Sequence, residues 1–467
     1  MADLVPGVVN AYVRAFIRHL RASNQLHAGV CVVGWDLRPS SPEIAASVGH
    51  ALQQEGLRVE WAGLLPTPAL ALHAMALGAP GIMVTGSHIP FDRNGIKFYT
   101  AKGEILKADE AAITSLDIAA LLPLDSTESG LLESLARVRQ AQARDSAALQ
   151  AYRDRYLQCL PSNALAGLRI GVYQHSAVGR DFLADLLGRF GASVVSLGRS
   201  DTFVPIDTEA VSAADEALAA AWCAEHRLNA VVSTDGDGDR PWICDEHGHF
   251  MRGDVVGILT AQWLGVQAVV TPVSSNTALE KSGLFSQCVR TRIGSPYVIE
   301  AMQNLAQQGH AHIAGFEANG GFLLQSHVKG LAPLPTRDST LPILAVLAQA
   351  QERGLPLSAL PGQLPARYTQ ADRIQNLPTD QSQALIARLR EDALALQAFV
   401  QFSGSTPQHI DSTDGLRITL DTGDIVHLRP SGNAPELRCY TEAGSPAQAK
   451  LLLDQVLTQI KATSTFL

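Results

Sequence analysis

The chain has 467 residues, 46% of them hydrophobic and 17% charged, with a formal net charge of −9. That length suits three or four domains with ample core, and the acidic balance excludes a broad nucleic-acid footprint. No run approaches the ~18 uninterrupted apolar residues of a membrane span, so no membrane partner is expected.

The first predicted element is an amphipathic helix, with Val9, Val13, Phe16, Ile17 and Leu20 on one face and Arg14, Arg18 and Arg21 on others. Strand-like runs then alternate with helices. "GVCVVG" precedes a helix from about Ser41 to Gly56, "RVEWAG" precedes "TPALALHAMALG", and "GIMVTG" follows. The rhythm restarts at "LRIGVY" (Leu168–Tyr173), runs through a helix at Asp181–Phe190 and "NAVVST", and restarts again at "AVVTPVSS". Such repetition predicts three similar mixed α/β domains. The last hundred residues differ: "LRITLDTGDIVHLRPS" alternates around a Thr-Gly turn, "ELRCYTEA" is another strand, and a helix from Pro446 to about Ile460 closes a smaller α+β domain. The expected domains are 1–148, 149–255, 256–365 and 366–467. Linkers are expected near 145–150, 252–256 and 361–367, with a polar helical stretch at Ala136–Gln158. Cys31, Cys159, Cys223, Cys244, Cys288 and Cys439 are scattered, with no CxxC pair or Cys/His cluster. They read as reduced thiols, which fits the cytoplasm.

Four loops carry chemistry. In "VTGSHIPFDRNGIKFY", Ser87 stands between Gly86 and His88 just after an apolar strand. That is either a polar turn or a nucleophile presented at a strand end. In "NAVVSTDGDGDRPWIC", Asp235, Asp237 and Asp239 alternate with glycines, so three hard oxygen ligands can converge on Mg²⁺. A solvated acidic turn is the plain alternative. An EF-hand loop needs glycine where Arg240 stands, and helical rather than strand flanks. A phosphatase of the haloacid-dehalogenase type also opens on D-x-D, with Asp235 as nucleophile, but Asp239 stands where that pattern has Thr or Val. In "AGFEANGGFLL", Glu317 and Asn319 suit sugar hydroxyls, or make a Gly-rich turn. In "LRPSGNAPELRCY", Arg429 offers a planar fork to phosphate, and Ser431, Gly432 and Asn433 can complete an anion nest. The alternative is a turn with a surface arginine.

Together with "GWDLRPSS" and "LPTPAL", and in this order over nearly the whole chain, these loops resemble the α-D-phosphohexomutase superfamily, specifically its bacterial phosphomannomutase/phosphoglucomutase group. The resemblance implies four domains around a central cleft, each giving one loop. It implies that hexose 6-phosphate and hexose 1-phosphate are interconverted through a phosphoserine enzyme and a hexose 1,6-bisphosphate, which also acts as activator. Ser87 then falls on the phosphoserine, and Asp235, Asp237 and Asp239 with the Ser87 phosphate on the Mg²⁺ site. Glu317 and Asn319 fall in the sugar loop. Arg429, Ser431, Gly432 and Asn433 fall in the loop that holds the substrate's own phosphate. Arg38, Lys97 and Arg240 fall near the phosphoserine, with Lys97 taking or stabilising the proton of the reacting hydroxyl. His88 has an orienting role or bonds to phosphate. The partners implied are hexose phosphates, most specifically mannose phosphate, with glucose phosphate as a second substrate. No protein partner is implied. A catalytically silent sugar-phosphate binder is the other reading.

This chain departs from the family pattern in three places. The sugar loop usually reads Gly-Glu-x-Ser-Gly-His; here the Ser position is Asn319 and the His position is Gly321. The phosphate loop usually reads Ser-Gly-Thr-Glu-Pro; here Asn433 and Ala434 replace Thr and Glu. Family members commonly open with a Gly-x-Arg-Gly segment before the first helix. A form extended upstream by roughly fifteen to twenty residues is therefore expected to be more active and more stable, since one charge-assisted contact to phosphate is worth about 1.5–3 kcal/mol.

Overall fold

The computed structural model describes residues 4–122, 128–142, 146–209, 211–431 and 435–464. They form two compact units, Met1–Val269 with Ser295–Pro361, and Val270–Gly294 with Gly362–Leu467.

The first unit opens on the helix Pro6–Ala22. Proline in its first turn presets the backbone where no N–H is needed. Val9, Val13, Phe16, Ile17 and Leu20 recur at helical spacing and are all buried in the first core, while Arg14 reaches out to Glu55 and the Leu121 carbonyl. Cutting Phe16 back to alanine would cost about 3–5 kcal/mol through lost burial and the cavity left behind.

Two sheets of this unit share one plan. In the first, Val30–Trp35 lies between Arg58–Leu64 and Gly81–Val84, parallel to both, and Ile96–Thr100 then pairs antiparallel with Gly81–Val84. In the second, Arg169–Tyr173 lies parallel between Ser193–Leu197 and Ala230–Thr234, and Pro241–Cys244 turns back antiparallel on Ala230–Thr234. The central strands are buried along their length, as parallel strands covered on both faces must be. A third antiparallel run joins Ile313–Phe316, Phe322–Leu324 and Leu334–Asp338. In all three, one hairpin follows an apolar strand: residues 85–95, 235–240 and 317–321. The serine, aspartate and glutamate loops are therefore equivalent positions on three similar sheets.

The second unit is built on an antiparallel sheet in the order Tyr368–Gln375, Glu436–Ala443, Ile425–Pro430, Leu416–Leu420, Pro407–Asp411. Its core includes buried residues from the helices Thr379–Glu391, Ala393–Val400 and Pro446–Ser464. The turn after Leu420 closes through Gly423 at φ 79°, a conformation that suits glycine.

Several expected boundaries shift. The stretch Ala136–Gln158 is two helices, Glu128–Gln142 and Ala147–Leu157, because Ser146 starts a new helix by accepting from the Leu149 N–H. The stretch 252–256 is not a linker but the first turn of Gly253–Leu264, whose apolar residues Val256, Ile258 and Leu259 are buried. The segment 256–365 is divided between the units. Val270–Gly294 belongs to the second, where the Thr277 N–H bonds Glu442, the Asn276 amide bonds the Arg367 carbonyl, and the Ile293 N–H bonds Asp414.

One buried brace belongs to the first unit alone. Tyr152 and Tyr156, a turn apart on Ala147–Leu157, both donate to the Asp338 carboxylate, Tyr152 at 2.6 Å. Asp338 also accepts the N–H of Thr340 at the start of the helix Thr340–Arg353. Among the described residues no helix is long and apolar enough to cross a membrane, and the six cysteines are unpaired.

Candidate active site

Ser87 leaves its strand in the left-handed region, φ 52°, which costs a non-glycine residue about 1–3 kcal/mol. The surrounding bonds enforce it. Its N–H donates to Thr85 Oγ1 at 2.8 Å, and Thr85 Oγ1 donates in turn to Asp36 Oδ2 at 2.8 Å. Its hydroxyl donates to Asp235 Oδ2 at 2.6 Å, linking the serine loop to the aspartate loop.

Arg38 holds the serine loop from beneath. Its Nη1 donates to the carbonyls of Pro90 and Arg93, its Nη2 to those of Ser87 and Ile89, and its Nε to Asp36. All five N–H groups are thereby used, and the guanidinium also lies 4.0 Å over the Phe203 ring. Arg38 was expected among the catalytic groups. It touches the Ser87 carbonyl, not the hydroxyl. Gly86 is small for the same reason: a Cβ there would lie 2.7 Å from Arg38 Cζ.

The three aspartates are buried, with one ligand atom of each within 4.8 Å of the others. Asp235 Oδ1 accepts the N–H groups of Asp239 and Arg240, each at 3.1 Å. Both its oxygens thus accept hydrogen bonds, Oδ2 from Ser87 and Oδ1 from its own turn. Asp237 Oδ2 accepts Thr67 Oγ1 at 2.5 Å and Lys97 Nζ at 2.7 Å. Asp239 Oδ2 accepts Lys97 Nζ at 2.5 Å and Arg337 Nε at 3.0 Å. The other oxygen of Asp237 and that of Asp239 are buried without a hydrogen-bond partner. Two orphan carboxylate oxygens in one acidic cluster, close to the Ser87 hydroxyl, fit a hard divalent cation such as Mg²⁺. Gly236 lets the two loops meet, since a Cβ there would come within 2.8 Å of the Ser87 carbonyl.

Burial, together with Asp237 and Asp239, raises the Asp235 carboxyl well above its ordinary range. Burial acts the same way on Asp239, but Arg337, Lys97 and Arg240 outweigh it and hold that carboxyl low. His88 accepts Arg240 Nη1 at 2.9 Å through Nδ1, so its proton sits on Nε2. Burial and the Arg240 charge push the ring down to about 4. Arg240 Nε stands 3.7 Å from Asp239 and 3.9 Å from Asp235.

In the third loop Glu317 Oε2 accepts Arg337 Nη1 at 3.1 Å. Asn319 Oδ1 accepts the Gly321 N–H at 2.9 Å and closes the loop. Serine, aspartate and glutamate loops thus form one cluster in the first unit with Lys97, His88, Arg240 and Arg38. Arg429 and Ser431 lie in the second unit. There Arg429 Nε donates to Asp414 at 3.0 Å, and the Ser431 N–H bonds the Glu436 carbonyl. Gly432 and Asn433 lie outside the described residues. Sequence reasoning missed Thr67 and Arg337. Thr67 stands in the quoted "LPTPAL", but nothing there signals a bond to a distant aspartate.

The sequence profile of phosphoglucomutase/phosphomannomutase alpha/beta/alpha domain I matches residues 2–117, that of domain II residues 150–248, that of domain III residues 252–368, and that of the C-terminal domain residues 376–459. The chain is 45% identical over 469 residues to a phosphomannomutase of Sinorhizobium fredii, covering 99% of this chain and 96% of that one. It is 46% identical over 434 residues to a phosphomannomutase of Salmonella muenchen, covering 91% and 87%. A solved phosphoglucomutase/phosphomannomutase family protein of Burkholderia thailandensis is 20% identical, with a TM-score of 0.70 over 98% of this chain and 94% of that one, a likeness of fold.

Proposed function

This chain belongs to the phosphoglucomutase/phosphomannomutase family, and from that premise we propose that it interconverts hexose 6-phosphate and hexose 1-phosphate, with mannose phosphate preferred, through phosphorylated Ser87 and a hexose 1,6-bisphosphate. The observation that carries the reading is the Ser87 hydroxyl bonded to Asp235 inside a buried tri-aspartate cluster with two orphan oxygens. The relatives named phosphomannomutase support the choice of sugar.

In the forward half-reaction the phosphoryl group leaves Ser87 Oγ for a free sugar hydroxyl. The P–O bond to serine breaks, one to the sugar forms, and the serine oxygen ends protonated in place of the sugar hydroxyl. The bisphosphate turns round, and Ser87 Oγ takes the other phosphoryl group. Asp235, Asp237 and Asp239 would hold Mg²⁺, which supplies neutralisation of the phosphoryl oxygens. Lys97 holds Asp237 and Asp239 together and stabilises the charge of the reacting hydroxyl. Arg240 fixes His88 beside the phosphorylated serine, and Arg38 keeps the loop in shape. Glu317 binds sugar hydroxyls, while Asn319 shapes its loop. Arg429 and Ser431, with Gly432 and Asn433, clamp the phosphate that is not reacting. The four domains are proposed at 1–148, 149–255, 256–365 and 366–467, with Val270–Gly294 of the third packed in the second unit, and the enzyme works in the cytoplasm on small hexose phosphates.

The test is a coupled assay on mannose, glucose and glucosamine phosphates with bisphosphate present, and intact-mass measurement of the purified chain. Turnover of mannose 1-phosphate with one phosphate on Ser87 is expected. A wild-type chain that converts none of them, or a phosphate found on Asp235 instead, overturns the reading.

A further inference from the structure

The residue joining the aspartate loop to the glutamate loop is one that no motif pointed to. Arg337 leaves the strand Leu334–Asp338, next to the strand that ends the glutamate hairpin. Its Nε donates to Asp239 Oδ2 at 3.0 Å and its Nη1 to Glu317 Oε2 at 3.1 Å, with only 12% of the side chain exposed. One guanidinium therefore serves a carboxylate of the acidic cluster and a carboxylate of the sugar loop. A planar fork does this from two fixed, separate donor positions, whereas a lysine offers a single point of donation on a flexible stem.

The arm needs a path, and Gly321 supplies it. A Cβ at Gly321 would lie 2.7 Å from both Cγ and Cδ of Arg337 and 3.0 Å from its Cβ. Gly321 is also the position where the family pattern has histidine. In this chain a side chain missing from the loop and an arm crossing the vacated space are two halves of one exchange. Glu317 comes out with one oxygen committed to Arg337, and no described residue bonds its Oε1. Nor does a described residue bond Arg337 Nη2. A carboxylate acceptor fixed beside a guanidinium donor is the complement of two neighbouring hydroxyls on a sugar ring.

We propose that Arg337 is a specificity-determining positioning residue: it fixes Glu317 and sets a donor beside it, so that the site reads the relative orientation of two adjacent ring hydroxyls. The inference rests on the mutase reading above. It places the discrimination between epimeric hexose phosphates on a strand outside the glutamate loop, with the loop's glycine as its precondition.

The experiment uses the full chain and three variants, Arg337→Lys, Arg337→Ala and Gly321→Ala. The last keeps the charge and displaces the arm. For mannose 6-phosphate and glucose 6-phosphate, kcat and KM are measured by coupled assay and binding by calorimetry, with circular dichroism confirming the fold. The expected result is a KM or Kd raised at least about tenfold for the preferred sugar, a smaller change in kcat, and an epimer preference altered by about tenfold in Arg337→Lys and Gly321→Ala alike. A merely structural arginine would weaken both sugars equally. Preference within twofold of wild type in all three variants, with the wild type active, overturns this inference alone. A wild type that neither binds nor converts either sugar overturns the mutase reading and this inference with it.

Discussion

The serine loop and the aspartate loop occupy the same place on similar sheets, yet they are held in opposite ways. The aspartate loop is short and closes on itself: Asp235 N–H bonds the Arg240 carbonyl, and Asp235 Oδ1 takes two N–H groups of its own turn. The serine loop is longer, and of the four carbonyls that Arg38 meets only that of Pro90 also takes an N–H of the loop, from Arg93. It borrows Arg38 from beyond the neighbouring strand, and that one guanidinium supplies the missing donors. The aspartate loop also takes outside donors, Val178, Thr67 and Ser339, on the Gly236, Asp237 and Gly238 carbonyls, but its turn is already closed by its own bonds. A loop that holds a strained reacting group depends on an anchor elsewhere in the chain.

The hardest way to break the comparison is to remove what the serine loop presents. Ser87→Ala should cut turnover by about 10⁴-fold or more, the scale on which loss of a covalent nucleophile acts, with the melting temperature nearly unchanged. Ser87→Gly should be equally inactive and melt no lower than the alanine variant, because glycine accepts φ 52° without strain. Appreciable turnover in either would move the phosphoryl carrier elsewhere.

Next comes the anchor. Arg38→Met leaves Asp36 buried without its cation and should cost about 3–5 kcal/mol in denaturant unfolding. Amide exchange should quicken across residues 86–95 and stay slow across 235–240. Equal loosening of both loops would mean that Arg38 supports the unit generally rather than the serine loop in particular.

The aspartate loop gives a smaller, ligand-centred effect. Asp237→Asn removes one charge from the cluster, and Mg²⁺ titration of activity should show affinity reduced about ten- to a hundredfold, the worth of a contact of about 1.5–3 kcal/mol. The fold should remain, since Lys97 still has Asp239. Full activity after exhaustive chelation would reject the metal assignment.

The mildest perturbation reaches both units. His175 and His427 are each pushed down to about 4, chiefly by burial, with Arg180 beside the first and Arg417 and Arg429 near the second. The unfolded chain takes up their protons near pH 6.5 and the folded chain does not. Stability from both is therefore full above about pH 6.5 and declines as pH falls towards 4. At about pH 5.5 the loss is roughly 1.4 kcal/mol per histidine. Unfolding free energies that are flat between pH 7.5 and 5.5 would contradict the burial of both rings.

Much of this was legible in the sequence because it is written locally. Apolar runs ending in Gly86, Asp235 and Glu317 gave the strands and their hairpins, and the alternation around Thr422-Gly423 gave the last one. What escaped was written at a distance. Arg38 looks like a catalytic group until four of its donors are traced to carbonyls about fifty residues away and the fifth to Asp36. Asn319 looks like a sugar ligand, and nothing in its neighbourhood signals that its oxygen also closes its own turn. Arg337 carries no glycine-rich signature, and its part depends on a missing Cβ across the hairpin. Val270–Gly294 reads as a continuation of its own domain, and only its bonds to Glu442, Arg367 and Asp414 assign it to the second unit.

The two tyrosines closed on Asp338 give the first unit an optical signature. A phenolate absorbs at longer wavelength than a phenol, so an alkaline spectrum counts the tyrosines free to ionise. Burial and the Asp338 charge lift Tyr152 and Tyr156 well above their ordinary value near 10, and burial lifts Tyr99 as well. These rings stay spectrally silent at an alkalinity where exposed phenols have already turned. The colour of Tyr152 and Tyr156 comes when the helix Ala147–Leu157 parts from Asp338, and it marks the opening of that unit by itself.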